Sequence, residues 1–103
     1  MPLWYINDRI SIIRSINDNQ LLEKVKRHCF NIISKNENNN NYDNLRNILQ
    51  NYLKEQILNS NLWVNIGNKQ INDFGNINPN SVMIFQYSNS SKNLYIHVAK
   101  LSN

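Results

Sequence analysis

The sequence has few of the residues that usually mark a specialised small protein: among 103 residues it contains one cysteine, two glycines and two prolines. A single cysteine, Cys29, excludes an intramolecular disulfide and fits a reducing compartment. Two isolated glycines are too few for a phosphate-cradling loop. No apolar run approaches the roughly 20 residues that span a bilayer, and the N-terminus lacks the features of a secretory signal. We therefore expect a soluble intracellular protein, cytoplasmic by default, without membrane contact.

Metal and cofactor sites are also poorly supported by the sequence. His28 and Cys29 are adjacent, so a helix would direct their side chains about 100° apart. No CxxC or HxxxH motif completes a coordination shell. Cys29 instead falls on an apolar helical stripe, where it is most simply a small core residue. The sequence predicts neither a metal nor a cofactor.

The residues in excess are asparagine and isoleucine, with 23 and 14 copies. Both are encoded by A- and U-rich codons, so the bias reflects a source poor in G+C more readily than a chemistry. The formal net charge of +4 would favour polyanions, but charged residues make up only 17% of the chain. The length fits one domain, because two halves would be too small to bury adequate cores.

Three stretches show helical periodicity. The first covers 3–16, and Pro2 stands where a first-turn proline is tolerated. The second begins near Gln20, after several cap candidates, and ends near Ile33. The third follows Asp43 as N-cap and has the clearest period of 3.6 residues. Between the last two, polar residues predict a mobile asparagine-rich loop at about 35–42.

Beyond residue 61 the periodicity changes to two. Segments 62–66 and 69–74 flank Gly67-Asn68 and predict a first hairpin. Segments 82–88 and 94–101 predict a second, whose turn pairs Phe85 with Ile96, Ile84 with His97 and Gln86 with Tyr95. Helices followed by strands predict a single α+β domain over 1–103. Three N-terminal helices would then pack on one face of a three- or four-stranded antiparallel sheet made of the two hairpins.

A protein-interaction surface is the first functional hypothesis. The run at residues 3–5 would be apolar on every side of a helix, and exposed aromatic residues are enriched at interfaces. A buried helix start explains the run equally well. The other part of this surface is the face of the second predicted hairpin that carries both polar and apolar side chains. The hypothesis describes a non-catalytic interaction module or small subunit of an assembly, which binds a protein partner or itself. Its residues are Leu3, Trp4, Tyr5, Gln86, Tyr95 and His97.

Nucleic-acid binding is the second hypothesis, with a winged-helix-like domain in which 43–60 is the recognition helix and 62–74 the wing. The recognition helix offers few cations, whereas specific binding needs several phosphate contacts. A solvated helix surface also explains the basic cluster in the second predicted helix. The candidate contacts are Lys24, Arg27, His28, Arg46 and Lys54.

A small metal-independent ribonuclease or toxin is the third hypothesis. His97 would act as general acid, with Tyr95 and Lys100 as electrostatic support. Asp73 is the nearest guess for a partner carboxylate. A strand histidine is far more often a packing or interface residue, so the sequence favours a protein that is not an enzyme.

Overall fold

A computed structural model describes residues 9–57, 61–90 and 92–101 of the chain. In these residues two helices pack on one four-stranded antiparallel sheet. The α+β class predicted from the sequence is thus confirmed. Neither helix of the described residues is both long and apolar enough to cross a membrane. In chain order the elements are β1 (Ile10–Arg14), α1 (Asn19–Lys35), α2 (Tyr42–Gln56), β2 (Asn61–Gly67), a 3₁₀ turn (Pro79–Ser81), β3 (Val82–Ser88) and β4 (Asn93–Leu101).

The first predicted helix is wrong over 10–14, so the described residues contain two helices where three were expected. This segment is the edge strand β1, in which Ile10 faces Tyr87 and Ile12 faces Phe85. The isoleucines here fit both a three-residue and a two-residue period, and β-branched side chains pack well on a sheet. Residues 15–16 form no helix either, and the part of the prediction over 3–8 lies outside the described residues.

The two remaining helices are confirmed, and their N-caps explain where they begin. The Asp18 carboxylate accepts the Leu21 amide at 3.1 Å and starts α1. The N-cap of α2 is Asn41, which accepts the Asn44 amide at 3.1 Å. The expected cap, Asp43, lies instead in the first turn of α2, where the positive end of the helix dipole favours its charge.

The C-terminal hairpin has the predicted register, with Phe85 facing Ile96 and Ile84 facing His97. The sheet order is β1-β3-β4-β2, so this hairpin forms its centre. One face of the sheet, called the near face, packs against both helices in a single apolar core. Representative buried residues of this core are Val25, Cys29, Ile33, Leu45, Leu49, Leu53, Leu62, Val64, Phe85, Ile96 and Val98.

The first predicted hairpin is wrong, because β2 pairs with β4 and not with 69–74. Pairing with β4 places Leu62, Val64 and Ile66 in the core beneath the helices, and this burial outweighs the local turn preference of Gly67-Asn68. Residues 68–78, called the β2–β3 loop, form no helix or strand. They cover part of the other sheet face, called the far face. The apolar contacts there involve Phe74, Ile77, Trp63, Val82, Ile84 and Ala99.

Cys29 is a free and fully buried thiol. Burial raises the pKa of this thiol far above its usual range, and the thiolate is the reactive form. We therefore expect a thiol reagent such as DTNB to modify the native protein at least about 100-fold more slowly than the urea-unfolded protein. Fast modification of the folded chain would contradict the burial of Cys29.

The linker between α1 and α2 is tied to the central hairpin. The Tyr87 hydroxyl donates a hydrogen bond to the Glu37 carboxylate, and Arg9 donates to the same oxygen at 3.0 Å. The Lys92 ammonium donates to the Asn39 carbonyl at 3.0 Å. The Tyr87 bond, aided by Arg9, lowers the pKa of Glu37 against the opposing effect of desolvation. The mobility expected for this linker stays a prediction.

Removing the Tyr87 hydroxyl tests this attachment. Tyr87→Phe is expected to lower the free energy of unfolding by about 1 kcal/mol at neutral pH, because it deletes a hydrogen bond to a partly exposed carboxylate. A lowered folded pKa stabilises the fold above the unfolded pKa, so the loss should shrink as the pH falls below about 4. Urea unfolding at neutral pH and at a pH below about 4 measures this loss in the free energy of unfolding. Tyr95→Phe is the control, because its hydroxyl makes only a 3.4 Å contact with Gln86. Equal losses in both variants would contradict a special role for Tyr87.

Candidate edge-strand binding site

β2 forms one of the two edges of the sheet. Its seven residues pair with β4 in unbroken register, from Asn61 opposite Leu101 to Gly67 opposite Tyr95. Within the part of the chain that the structure describes, β4 is the one strand paired with β2. The backbone N–H and C=O groups directed away from β4 therefore have no strand partner among those residues.

This edge also lacks the devices that usually block strand addition, namely charge, proline and bulges. Asn61–Gly67 contains no charged residue and no proline, and its register shows no shift. Gln50 of α2 donates to the Leu62 carbonyl at 3.1 Å, which fixes the beginning of the strand to the helix layer. The edge is therefore regular in register and uncharged, and its beginning is bound to α2.

The opposite edge, β1, is protected in several of these ways. It has five residues, and its register shifts between Ile12 and Arg14. The Arg14 guanidinium donates to the Pro79 carbonyl at 3.2 and 3.0 Å and lies 5.6 Å from the centre of the Phe74 ring. Of the two edges, β2 is thus the better site for an added strand.

The side chains of β2 differ between the two faces. Leu62, Val64 and Ile66 are buried in the near-face core, whereas Trp63 and Asn65 are half-buried on the far face. The Trp63 indole meets the His97 imidazole edge to face, with ring centroids 6.4 Å apart. A half-exposed tryptophan on a strand whose outer side has no strand partner in the described part of the chain offers an apolar anchor with one polar end.

His97 is fully buried on the far face. Its Nε2 accepts the Ile71 amide at 2.9 Å, and its Nδ1 lies 3.4 Å from the Asn65 carbonyl oxygen. Both contacts are satisfied by a neutral ring that carries its proton on Nδ1. Burial lowers the pKa of His97, and the Asn65 carbonyl opposes this in part. Since both ring nitrogens face backbone groups, the geometry favours a structural role.

The other residues suggested for a ribonuclease make no hydrogen bond to the His97 ring, whose polar contacts in the described part of the chain are with Ile71 and Asn65. Lys100 is three positions further along β4, so its side chain starts from the opposite sheet face. The Tyr95 hydroxyl accepts from Gln86 at 3.4 Å, and the Asp73 carboxylate accepts the Gly75 amide at 3.0 Å. Among the described residues, histidine, cysteine and carboxylate side chains form no group of three that could hold a metal ion.

The candidate nucleic-acid contacts are distributed over both helices. Lys24, Arg27 and Lys54 are exposed, while Arg46 donates to Gln50 at 3.0 Å. The fifth candidate, His28, is buried. Its ring lies 5.3 Å from the Tyr52 ring, and burial, with Arg27 and Lys24 nearby, lowers its pKa. It therefore adds no charge to a basic surface at neutral pH.

The hairpin that the winged-helix hypothesis assigned to the wing does not form, because β2 pairs with β4. Segment 69–74 forms no strand, so there is no wing beside β2. The apolar side of α2 is committed to the core through Leu45, Leu49 and Leu53. A recognition helix needs a free side directed at the groove, and α2 retains for this only its polar outer residues.

The predicted partner surface is only partly accessible in the described residues. Residues 3–5 lie outside them. Gln86 and Tyr95 are half-buried on the far face, and Gln86 donates to Asn93 at 2.9 Å. His97 lies beneath the β2–β3 loop. Sequence reasoning missed the β2 edge, whose signal was a strand of seven residues with no charge and no proline.

Searches of protein-family models, curated proteins and solved structures give no match to this chain. The function is therefore inferred from its own residues. The open β2 edge is the feature with the clearest binding chemistry.

Proposed function

We propose that this chain is a non-catalytic protein-interaction module that binds an extended segment of a partner protein along the outer edge of β2. This edge carries the proposal because it is uncharged and regular in register and has no strand partner on its outer side among the described residues. In binding by strand addition, main-chain hydrogen bonds supply affinity and alternate side chains supply selectivity. The β2 strand offers both, because backbone groups with no strand partner among the described residues lie beside the half-exposed Trp63.

The surroundings of β2 define what the partner segment should carry. An added strand alternates its side chains between the two faces of the sheet. Those on the far face would lie beside Trp63 and Asn65, which favours an aromatic or β-branched residue next to the indole. The net charge of +4 favours acidic residues flanking this segment, since complementary charge accelerates association.

Nucleic-acid binding is a weaker proposal. Lys24 and Arg27 are exposed on α1, which supports it, but Arg46 is engaged with Gln50 and His28 is buried. Phosphate contacts give a steep dependence on salt. Fluorescence anisotropy with single-stranded and duplex probes at low salt decides it, and an absence of binding to both probes would rule it out.

Peptide selection followed by backbone methylation tests the proposed function. Short random peptides displayed on phage are selected on the immobilised protein, and the best binder is resynthesised with one N-methyl group at each position in turn. Strand addition uses the backbone amides of every second residue, so methylation should weaken binding at alternate positions, by about tenfold or more for each lost bond.

Other patterns would contradict strand addition. Sensitivity at every third or fourth position would indicate a helical ligand, and uniform insensitivity would indicate binding through side chains alone. Light scattering on the free protein identifies self-association. A dimer that the selected peptide dissociates would make a second copy of the chain the occupant of the β2 edge.

A further inference from the structure

His97 connects the sheet to the β2–β3 loop. Its Nε2 accepts the amide of Ile71 at 2.9 Å, across 26 positions of sequence. Other loop amides bond within the loop itself: Ile77 donates to the Phe74 carbonyl at 3.1 Å, and Gly75 donates to Asp73. The His97 bond thus joins the backbone of this irregular segment directly to the central strand β4.

The rest of the loop is held on the far face by apolar contacts and by the Arg14 guanidinium, which lies 5.6 Å from the centre of the Phe74 ring. Phe74 and Ile77 pack against Val82, Ile84 and Ala99, but both are only half-buried. Because hydrophobic stabilisation scales with the apolar area buried, such partial burial stabilises the closed loop only modestly. A single buried hydrogen bond contributes a stabilisation comparable to that of one such side chain. Loss of the bond would therefore change how firmly the loop is held.

We propose that His97 is a pH-dependent latch: protonation of its Nε2 in mildly acidic solution breaks the hydrogen bond from Ile71 and releases the β2–β3 loop from the far face. The added proton occupies the lone pair that accepts the Ile71 amide. The imidazolium has two donors and no acceptor, so two N–H groups would face each other. This latch is a property of the fold and stands independently of the proposed binding to β2.

The charged groups around His97 are few. Tyr95 is the titratable neighbour on the same face of β4, and Lys69 and Asp73 lie two positions on either side of Ile71 in the loop. From β1, Arg14 faces Ile84, which in turn faces His97. β2 carries no titratable side chain, and the one on β3, Tyr87, points to the near-face core. An imidazolium would therefore be buried without a carboxylate bonded to it in the closed loop, and such a charge is costly.

The sign of the pH effect follows from the lowered pKa of His97 in the closed state. With the loop open the imidazole is hydrated and returns toward its ordinary pKa of about 6.5. The open state then binds the proton more readily than the closed state. The closed loop is accordingly favoured above about pH 6.5 and loses stability as the pH falls below that value.

Amide exchange of Ile71 tests the latch directly, because this amide is the donor. Its protection factor, corrected for the intrinsic exchange rate at each pH, is measured by NMR between about pH 7.5 and about pH 5.5. We expect it to fall up to about tenfold per pH unit below about 6.5, while the amides of Phe85 and Ile96 stay protected. Trp63, observed alone in a Trp4→Phe background, should change its fluorescence over the same range because it contacts the imidazole.

The control variant is His97→Gln, which keeps a hydrogen-bond acceptor but does not titrate. In this variant the Ile71 protection factor should be independent of pH in the same range. If the variant does not fold, the wild-type comparison of Ile71 with Phe85 still decides the question. Constant protection of Ile71 in the wild type, a fall shared by Phe85, or the same fall in His97→Gln would each overturn the proposal.

Discussion

Replacing Phe85 by alanine is expected to lower the free energy of unfolding by about 3–5 kcal/mol. Phe85 is fully buried in the middle of β3, where it faces Ile12 on one neighbouring strand and Ile96 on the other. Deleting the ring removes contacts with both neighbours and leaves a cavity between the sheet and the helices, and both effects destabilise. Urea unfolding followed by circular dichroism measures the loss.

Two further variants make this result interpretable. Phe85→Leu keeps most of the apolar volume and should cost less than about 1.5 kcal/mol, so it provides a folded protein if the alanine variant does not fold. Ile13→Ala removes an isoleucine that is 43% exposed on β1 and should change stability by about 0.5 kcal/mol or less. A loss below about 1 kcal/mol for Phe85→Ala would contradict a core centred on the near face.

Placing a lysine at the middle of the β2 edge is expected to weaken binding of the selected peptide at least about tenfold, which is 1.4 kcal/mol. Asn65 is half-buried on the far face, so Asn65→Lys puts a charge beside the edge at modest cost to folding. Lysine on an edge strand is a natural means of preventing strand addition. Isothermal titration calorimetry with the same peptide gives the change in affinity.

Ser11→Lys is the matched control for this prediction. Ser11 is exposed on β1, the other edge of the sheet, and its replacement changes the net charge by the same amount. The peptide should bind this variant as it binds the wild type. An equal loss in both variants would mean that the charge acts at long range, and an unchanged affinity of Asn65→Lys would place the peptide elsewhere.

Local signals made α1, α2 and the C-terminal hairpin predictable. Their caps, apolar stripes and turn involve residues close in sequence, and Phe85 faces Ile96 as expected. The segment 10–14 was not predictable in the same way, because its isoleucines fit either period. Pairing with β3, which lies far away in the chain, decided between them.

The arrangement around β2 could not be derived from sequence because it depends on a choice between two partners. Segment 69–74 is close along the chain and follows a turn dipeptide, but β4 offers an apolar register that buries Leu62, Val64 and Ile66. The same choice leaves the β2–β3 loop free to cover the far face. The contact between His97 and Ile71 is a consequence of this tertiary arrangement, so no sequence motif predicts it.

Binding at the β2 edge is tested most directly by amide mapping of the complex with the selected peptide. Hydrogen exchange and chemical-shift changes are recorded by NMR for the described strands and helices. The amides of Asn61–Gly67 should show the largest shifts, and those directed away from β4 should gain protection because they acquire a strand partner. Unchanged β2 amides, with the largest changes on β1 or on the exposed side of α1, would contradict binding at this edge.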